Sequence, residues 1–142
     1  MLDCVDKKGG ITMTKKLEIY KCDACGNLVE VVLSGEGELV CCGAPMILQV
    51  ANTTDASGEK HVPFFVKKDD ELEIRIGQVP HPMLEEHYIT FIEAISKDQR
   101  YVKRKYLYPG EEPEFTLKCY DVGKLTAREF CNVHGLWEAT ND

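Results

Sequence analysis

Leu72-Glu73-Ile74-Arg75-Ile76 alternates apolar and charged side chains without a break. That is the period of a strand with one face in a core and the other toward water. Phe115-Thr116-Leu117-Lys118-Cys119-Tyr120 repeats the pattern almost as strictly. Outward from these two, runs rich in β-branched and aromatic residues recur at Val62–Val66, Tyr88–Ile95, Tyr101–Tyr108, Leu125–Phe130 and Leu136–Ala139. Turn formers separate them: Lys68-Asp69-Asp70, Ser96-Lys97-Asp98, Pro109-Gly110 and Asp121-Val122-Gly123. No segment holds three turns of amphipathic helix. The expected fold is all-β, with a seven-stranded antiparallel immunoglobulin-like β-sandwich in the larger part of the chain.

Ahead of the sandwich stands a smaller, different text. From Leu17 to Val50 short strands are expected at Leu28–Leu33 and Met46–Val50, with Ser34-Gly35-Glu36-Gly37 as a turn. So few apolar residues cannot build a core alone, and a segment of this size needs a metal, a disulfide or a partner. Residues 51–58 (Ala-Asn-Thr-Thr-Asp-Ala-Ser-Gly) are small and polar and read as a linker. Four stretches follow: a flexible extension at 1–15, a small metal-bound β module at 16–50, the linker at 51–58 and the sandwich domain at 59–142.

Charge and hydropathy exclude several functions. The chain has 142 residues and a formal charge of -7, and neither part is basic: 5 basic and 7 acidic residues in 1–50, 12 and 17 in 51–142. A sequence-independent grip on nucleic acid is therefore disfavoured. Lys103-Arg104-Lys105 reads as solvated edge-strand charge. No apolar run is long enough to span a membrane, and the N-terminus lacks the apolar core of a signal peptide. The cytoplasm is the expected compartment.

The seven cysteines are an odd number without a secretion signal, which points to metal or redox chemistry and away from a disulfide scaffold. Cys22-Asp-Ala-Cys25 is followed after fifteen residues by Cys41-Cys42. A Cys-x-x-Cys turn lets two thiolates converge on one ion, and a second pair completes a tetrahedral sulfur-four site. Gly26 and Gly43 follow the pairs, where a ligand-presenting turn calls for positive φ. Spacing does not choose between zinc and iron. Adjacent Cys41 and Cys42 constrain the angle between their sulfurs, so a distorted tetrahedron is expected.

All four histidines fall in the larger part: His61, His81, His87 and His134. His81 lies between Pro80 and Pro82, which excludes a helix and stiffens an extended turn. Cys131 and His134 can bind one ion from a single loop. Such a mixed imidazole–thiolate set suits iron, copper or zinc.

At this point the motifs resemble a known family. Tyr20-Lys-Cys-Asp-Ala-Cys-Gly-Asn with Glu38-Leu-Val-Cys-Cys-Gly-Ala-Pro-Met resembles the desulforedoxin module. Glu59-Lys-His-Val-Pro, His81-Pro-Met, Glu86-His-Tyr and Cys131-Asn-Val-His-Gly-Leu-Trp resemble the superoxide reductase (neelaredoxin) domain. Together, from about Lys16 to Trp137, they resemble desulfoferrodoxin, the two-iron class of superoxide reductase. The resemblance implies an Fe(Cys)4 iron at Cys22, Cys25, Cys41 and Cys42. It also implies an Fe(His)4Cys iron with equatorial His61, His81, His87 and His134 and axial Cys131. Lys60 would attract superoxide and help supply protons, and Glu59 would ligate the oxidised iron and leave on reduction. The implied reaction is one-electron reduction of superoxide to hydrogen peroxide, with a rubredoxin-like electron donor.

A rival class is a non-enzymatic electron carrier or structural metal protein with a coordinatively closed second site. A zinc-ribbon nucleic-acid binder is undercut by the acidic charge. Thin core and exposed strand edges in the small module lead to an expected homodimer. Cys119 reads as a core thiol, Cys4 has no assigned role, and Trp137 is expected to pack beside the metal. Glu85-Glu86 and Glu111-Glu112 read as solvated charges.

Overall fold

The computed structural model describes residues 5–6, 11–54, 60–118 and 124–141, and among these there is no helix. The expectations for Cys4, Glu59, Cys119 and the Asp121-Val122-Gly123 turn lie outside the described residues, as do much of the extension and linker. The chain divides into two compact units, Met1–Val50 and Ala51–Asp142.

In the first unit β1 (Val5–Asp6) pairs with β2 (Ile11–Thr12). A three-stranded antiparallel sheet has β3 (Ile19–Lys21) between β4 (Leu28–Glu30) and β7 (Ile47–Gln49). β5 (Val40–Cys41) and β6 (Ala44–Pro45) form a minimal hairpin. The hydrogen bonding reaches back to Thr14, whose N–H and hydroxyl both donate to the Gly35 carbonyl. The core is small: Leu17, Ile19, Tyr20, Cys22 and Val31. The strand expected at Leu28–Leu33 stops at Glu30. Val31 exchanges backbone bonds with Leu17 and Glu18, and Leu17 takes a positive φ of 75°. The chain then turns away, leaving Val32 and Leu33 at 74% and 82% exposure.

The second unit is a sandwich of seven antiparallel strands in two sheets. One has the order β11 (Val102–Tyr106), β10 (Ile89–Ser96), β13 (Leu125–Cys131), β14 (Gly135–Thr140). The other has β12 (Glu114–Lys118), β9 (Glu71–Ile76), β8 (Pro63–Lys68). Alternation explains the packing: Leu72, Ile74 and Ile76 of β9 and Phe115 and Leu117 of β12 face Ile92 and Ala94 of β10 and Leu125 and Ala127 of β13. Each of these Leu, Ile and Phe side chains contributes about 1.5–3 kcal/mol by leaving water. Cys131 belongs to this core at the last position of β13, with no exposed surface.

The charged cluster lies on the exposed edge strand β11, as expected, but Arg104 also has a buried partner. Arg104 lies opposite Glu93 on β10, and Arg128 of β13 lies opposite it on the other side. Glu93 is wholly buried and accepts from Arg104 Nε at 3.1 Å and Arg128 Nη2 at 2.9 Å. Lys103 and Lys105 remain exposed edge charges. Glu111 is also more than a solvated charge, because its carboxylate accepts from the Tyr108 N–H at 2.6 Å.

Candidate metal centres

The first cluster brings together Cys22, Cys25, Cys41 and Cys42. Cys25 and Cys41 sulfurs lie 3.5 Å apart, and Cys41 and Cys42 sulfurs 4.0 Å apart. Thiolates about 2.3 Å from one tetrahedral ion would be separated by nearly these distances. Cys22 N–H donates to Asn27 O and Gly26 N–H to Cys22 O, closing the first ligand turn. Gly26 and Gly43 have φ of 86° and 75°. Cys42 itself adopts a φ of 53°, which costs a non-glycine residue about 1 kcal/mol or more. This left-handed residue lets two consecutive side chains serve one centre. Backbone N–H groups, that of Cys25 foremost, pull the Cys22 thiol down to about 7, whereas Cys25 and Cys22 push Cys42 up to about 12. Several thiolates so close together require a compensating cation.

The second cluster brings together His61, His81, His87, Cys131 and His134, with ligand atoms within 4.8 Å of one another. His61 precedes β8, His81 and His87 lie between β9 and β10, and Cys131 and His134 flank the turn from β13 to β14. The imidazoles form a closed square. Going round it, His61–His81, His81–His87, His87–His134 and His134–His61 have centroids 4.7–4.9 Å apart and planes 67–81° apart. His61 and His87 are thus one diagonal, and His81 and His134 the other. Cys131 Sγ lies 3.5 Å from His81 Nε2 and 3.8 Å from His134 Nδ1.

Individual nitrogens can be assigned. His81 Nδ1–H donates to the Pro82 carbonyl at 2.7 Å, because a carbonyl only accepts; Nε2 is therefore the free lone pair. His61 Nε2 and His134 Nδ1 approach to 3.1 Å, near the roughly 3 Å between cis nitrogens bound to one ion. His87 Nε2 is buried with no hydrogen-bond partner. Burial lowers His81 to about 4 and also lowers His87, where His134 and Lys60 act in the same direction. His81 and His87 are therefore held toward the neutral form in which an imidazole binds a metal. Burial pushes the Cys131 thiol up, opposed by the N–H groups of His134 and Val133. An orphaned imidazole nitrogen, three further nitrogens and a buried sulfur fit one transition-metal ion, and imidazole with thiolate suits iron.

Three supports surround this centre, and sequence reasoning foresaw only the first. Trp137, expected beside the metal, stacks on His61 (4.7 Å, 16°) while its Nε1–H donates to the His134 carbonyl at 3.1 Å. Gly77 has φ of 78°, and a Cβ there would fall 2.6 Å from the Lys60 carbonyl carbon and 2.7 Å from the Val79 oxygen. A lone glycine after an alternating strand was the only signal. The third support, Asn132, joins the turns that carry His87 and Cys131. Lys60 is exposed beside His61.

Comparison with known proteins agrees with the geometry. The profile described as Desulfoferrodoxin matches residues 53–140, and that described as Desulfoferrodoxin, N-terminal domain, matches residues 14–49. A desulfoferrodoxin of Syntrophotalea carbinolica is 50% identical over 129 residues, covering 89% of this chain and 98% of that protein. A superoxide reductase of Pyrococcus abyssi is 34% identical over 109 residues, covering 66% of this chain and 95% of its own. Among solved structures, the superoxide reductase of Treponema pallidum superposes with a TM-score of 0.67 at 25% identity, covering 89% of this chain and 99% of that one. The sulfur-four and His4Cys sets match the two iron centres of desulfoferrodoxins. With both profiles matched in order and half of the 129 aligned positions identical in a relative of nearly equal span, the chain belongs to the desulfoferrodoxin family.

Proposed function

We propose that the chain is a superoxide reductase, reducing superoxide with one electron and two protons to hydrogen peroxide. The observation that carries this reading is the square of four imidazoles with a single buried thiolate, Cys131, as fifth donor. Iron held by those five residues would supply the electron, and donation from the Cys131 thiolate would favour its transfer. The chain's own part is to hold four imidazoles and one thiolate in place, to shield the sulfur in the core, and to present Lys60. In a protein of charge -7, a local cation is what attracts an anion. Lys60 adjoins His61, acts electrostatically on His87, and serves as attractor and as a proton source through water. Glu59 would serve the oxidised state, as a carboxylate ligand for the iron.

Dismutation would release oxygen; reduction instead needs an outside electron. A rubredoxin-like donor is our assignment for that role, and the Fe(Cys)4 centre is a second one-electron site in the same chain. A cytoplasmic location suits a protein that needs five cysteine ligands kept reduced. A homodimer is supported by the small module, whose edge strands β4 and β7 and exposed Val29, Val40 and Ile47 would be covered by a second copy.

Anion binding tests the reading against a closed structural site. Azide should shift the visible spectrum of the oxidised His4Cys centre and leave the sulfur-four bands alone. A spectrum indifferent to azide and cyanide would mean the second centre has no exchangeable position and is not an enzyme site.

A further inference from the structure

The last pair of the β10–β13 ladder near the metal centre is Ile89 with Cys131. Beyond it the backbones separate into two turns, one carrying His87 and the other carrying Cys131, Asn132, Val133 and His134. The pairing nevertheless continues. Asn132 N–H donates to the Tyr88 carbonyl at 3.2 Å, Tyr88 N–H donates to Asn132 Oδ1 at 2.9 Å, and Asn132 Nδ2 donates to the Glu86 carbonyl at 3.1 Å. The side-chain amide therefore grips the backbone on both sides of His87. Its orientation is fixed by chemistry, since one partner can only donate and the other can only accept.

The grip falls where the site needs it. His87 closes its own turn through reciprocal bonds with Leu84, at 2.9 and 3.0 Å, but these do not relate it to the other ligands. Its Nε2 has no hydrogen-bond partner that would orient the ring. Asn132 sits between ligands Cys131 and His134 and holds the backbone flanking a third ligand, His87, supplied by a different segment.

We propose that Asn132 is a positioning residue for the iron centre: its carboxamide fixes the His87 turn relative to the Cys131–His134 turn. It touches no metal and no substrate. The inference rests on the iron reading for its effect on the metal, while the staple itself is testable without metal.

The test uses the full chain with Asn132→Ala and Asn132→Asp. Aspartate keeps the acceptor for Tyr88 N–H and replaces the donor with an oxygen facing the Glu86 carbonyl. In the metal-free protein, amide exchange at Tyr88 should quicken at least about tenfold in Asn132→Ala and less in Asn132→Asp, with the core amide of Ala94 unchanged. In the iron-loaded protein, Fe(II) release to a chelator from the His4Cys centre should quicken about tenfold, the lower end for outer-shell partners, with a changed ferric EPR signal and unchanged sulfur-four bands. Tyr88 exchange within twofold of the parent in both variants would overturn the proposal. So would altered exchange with iron release and EPR unchanged, which would make Asn132 a turn stabiliser only. If the parent chain takes up no iron, the iron reading fails, while the exchange result still decides the staple.

Discussion

Gly77→Ala probes how the Lys60–His61 segment is held. Two costs arise. An L-residue at a φ of 78° costs about 1–2 kcal/mol. The new methyl also meets backbone, 2.6 Å from the Lys60 carbonyl carbon and 2.7 Å from the Val79 oxygen. Those atoms must retreat by roughly 0.7–1 Å to reach ordinary contact, and forced repacking of this kind costs about 1–3 kcal/mol. The expected destabilisation is about 2–5 kcal/mol, read as an earlier urea transition for the second unit. Because the displaced backbone leads into His61, superoxide turnover should fall about 10- to 100-fold, the effect of an ångström's misplacement at a reacting centre. Gly110→Ala is the internal control. Its φ is 91° but nothing lies within 4 Å of the added methyl, so only the dihedral cost of about 1–2 kcal/mol applies, with turnover intact. Equal effects of the two variants on stability and rate would refute the claim that Gly77 packing positions Lys60 and His61.

Further perturbations address other parts of the molecule. Cys131→Ser should abolish superoxide reduction while leaving the sulfur-four spectrum intact; undiminished turnover would remove Cys131 from the site. Glu93→Ala strands the Arg104 and Arg128 guanidiniums around a buried gap and should cost about 3–5 kcal/mol in urea unfolding, against under 1 kcal/mol if the cluster were solvated. Hydrogen bonds from Arg75 and Lys68 hold Glu73 at about 2, below its ordinary 4.5. Its contribution is therefore complete above pH 4.5 and is lost as pH falls toward 2; Glu73→Gln should flatten stability across that window, and an unchanged acid limb would contradict the assignment. Trp137 is the single tryptophan and stacks on His61, so iron loading of the His4Cys centre should strongly quench its emission. Emission indifferent to iron would contradict that geometry.

What the sequence shows of this fold follows from periodicity. Leu72, Ile74 and Ile76 announce their buried face, and the seven strands of the sandwich fall where alternation and turn residues put them. Ligand identities were legible because four histidines and two cysteine pairs are rare enough to mark themselves. Register was not legible. Glu93 looks like a misplaced charge until pairing sets Arg104 and Arg128 on either side of it. The run Leu28–Leu33 has uniform β propensity, and only its tertiary bonds to Leu17 and Glu18 end the strand at Glu30. β5 and β6 are two residues each, too short for any pattern. Cys42 shows the same limit: nothing in a Cys-Cys pair announces the left-handed turn that points both sulfurs one way. Contacts such as those of Gly77 with Lys60 and Asn132 with Glu86 and Tyr88 join segments distant in sequence, and local pattern carries no trace of them.

The most direct test of the central claim is the stoichiometry of the reaction itself. Iron-loaded protein is reduced with ascorbate, freed of reductant, and given limiting superoxide while peroxide and oxygen are both measured. The account predicts one peroxide per superoxide consumed, one equivalent of His4Cys iron oxidised, and no oxygen beyond that of spontaneous dismutation. Peroxide at half that yield with matching oxygen evolution would show a dismutase, and superoxide decaying at its uncatalysed rate would show that the square of histidines is a structural site.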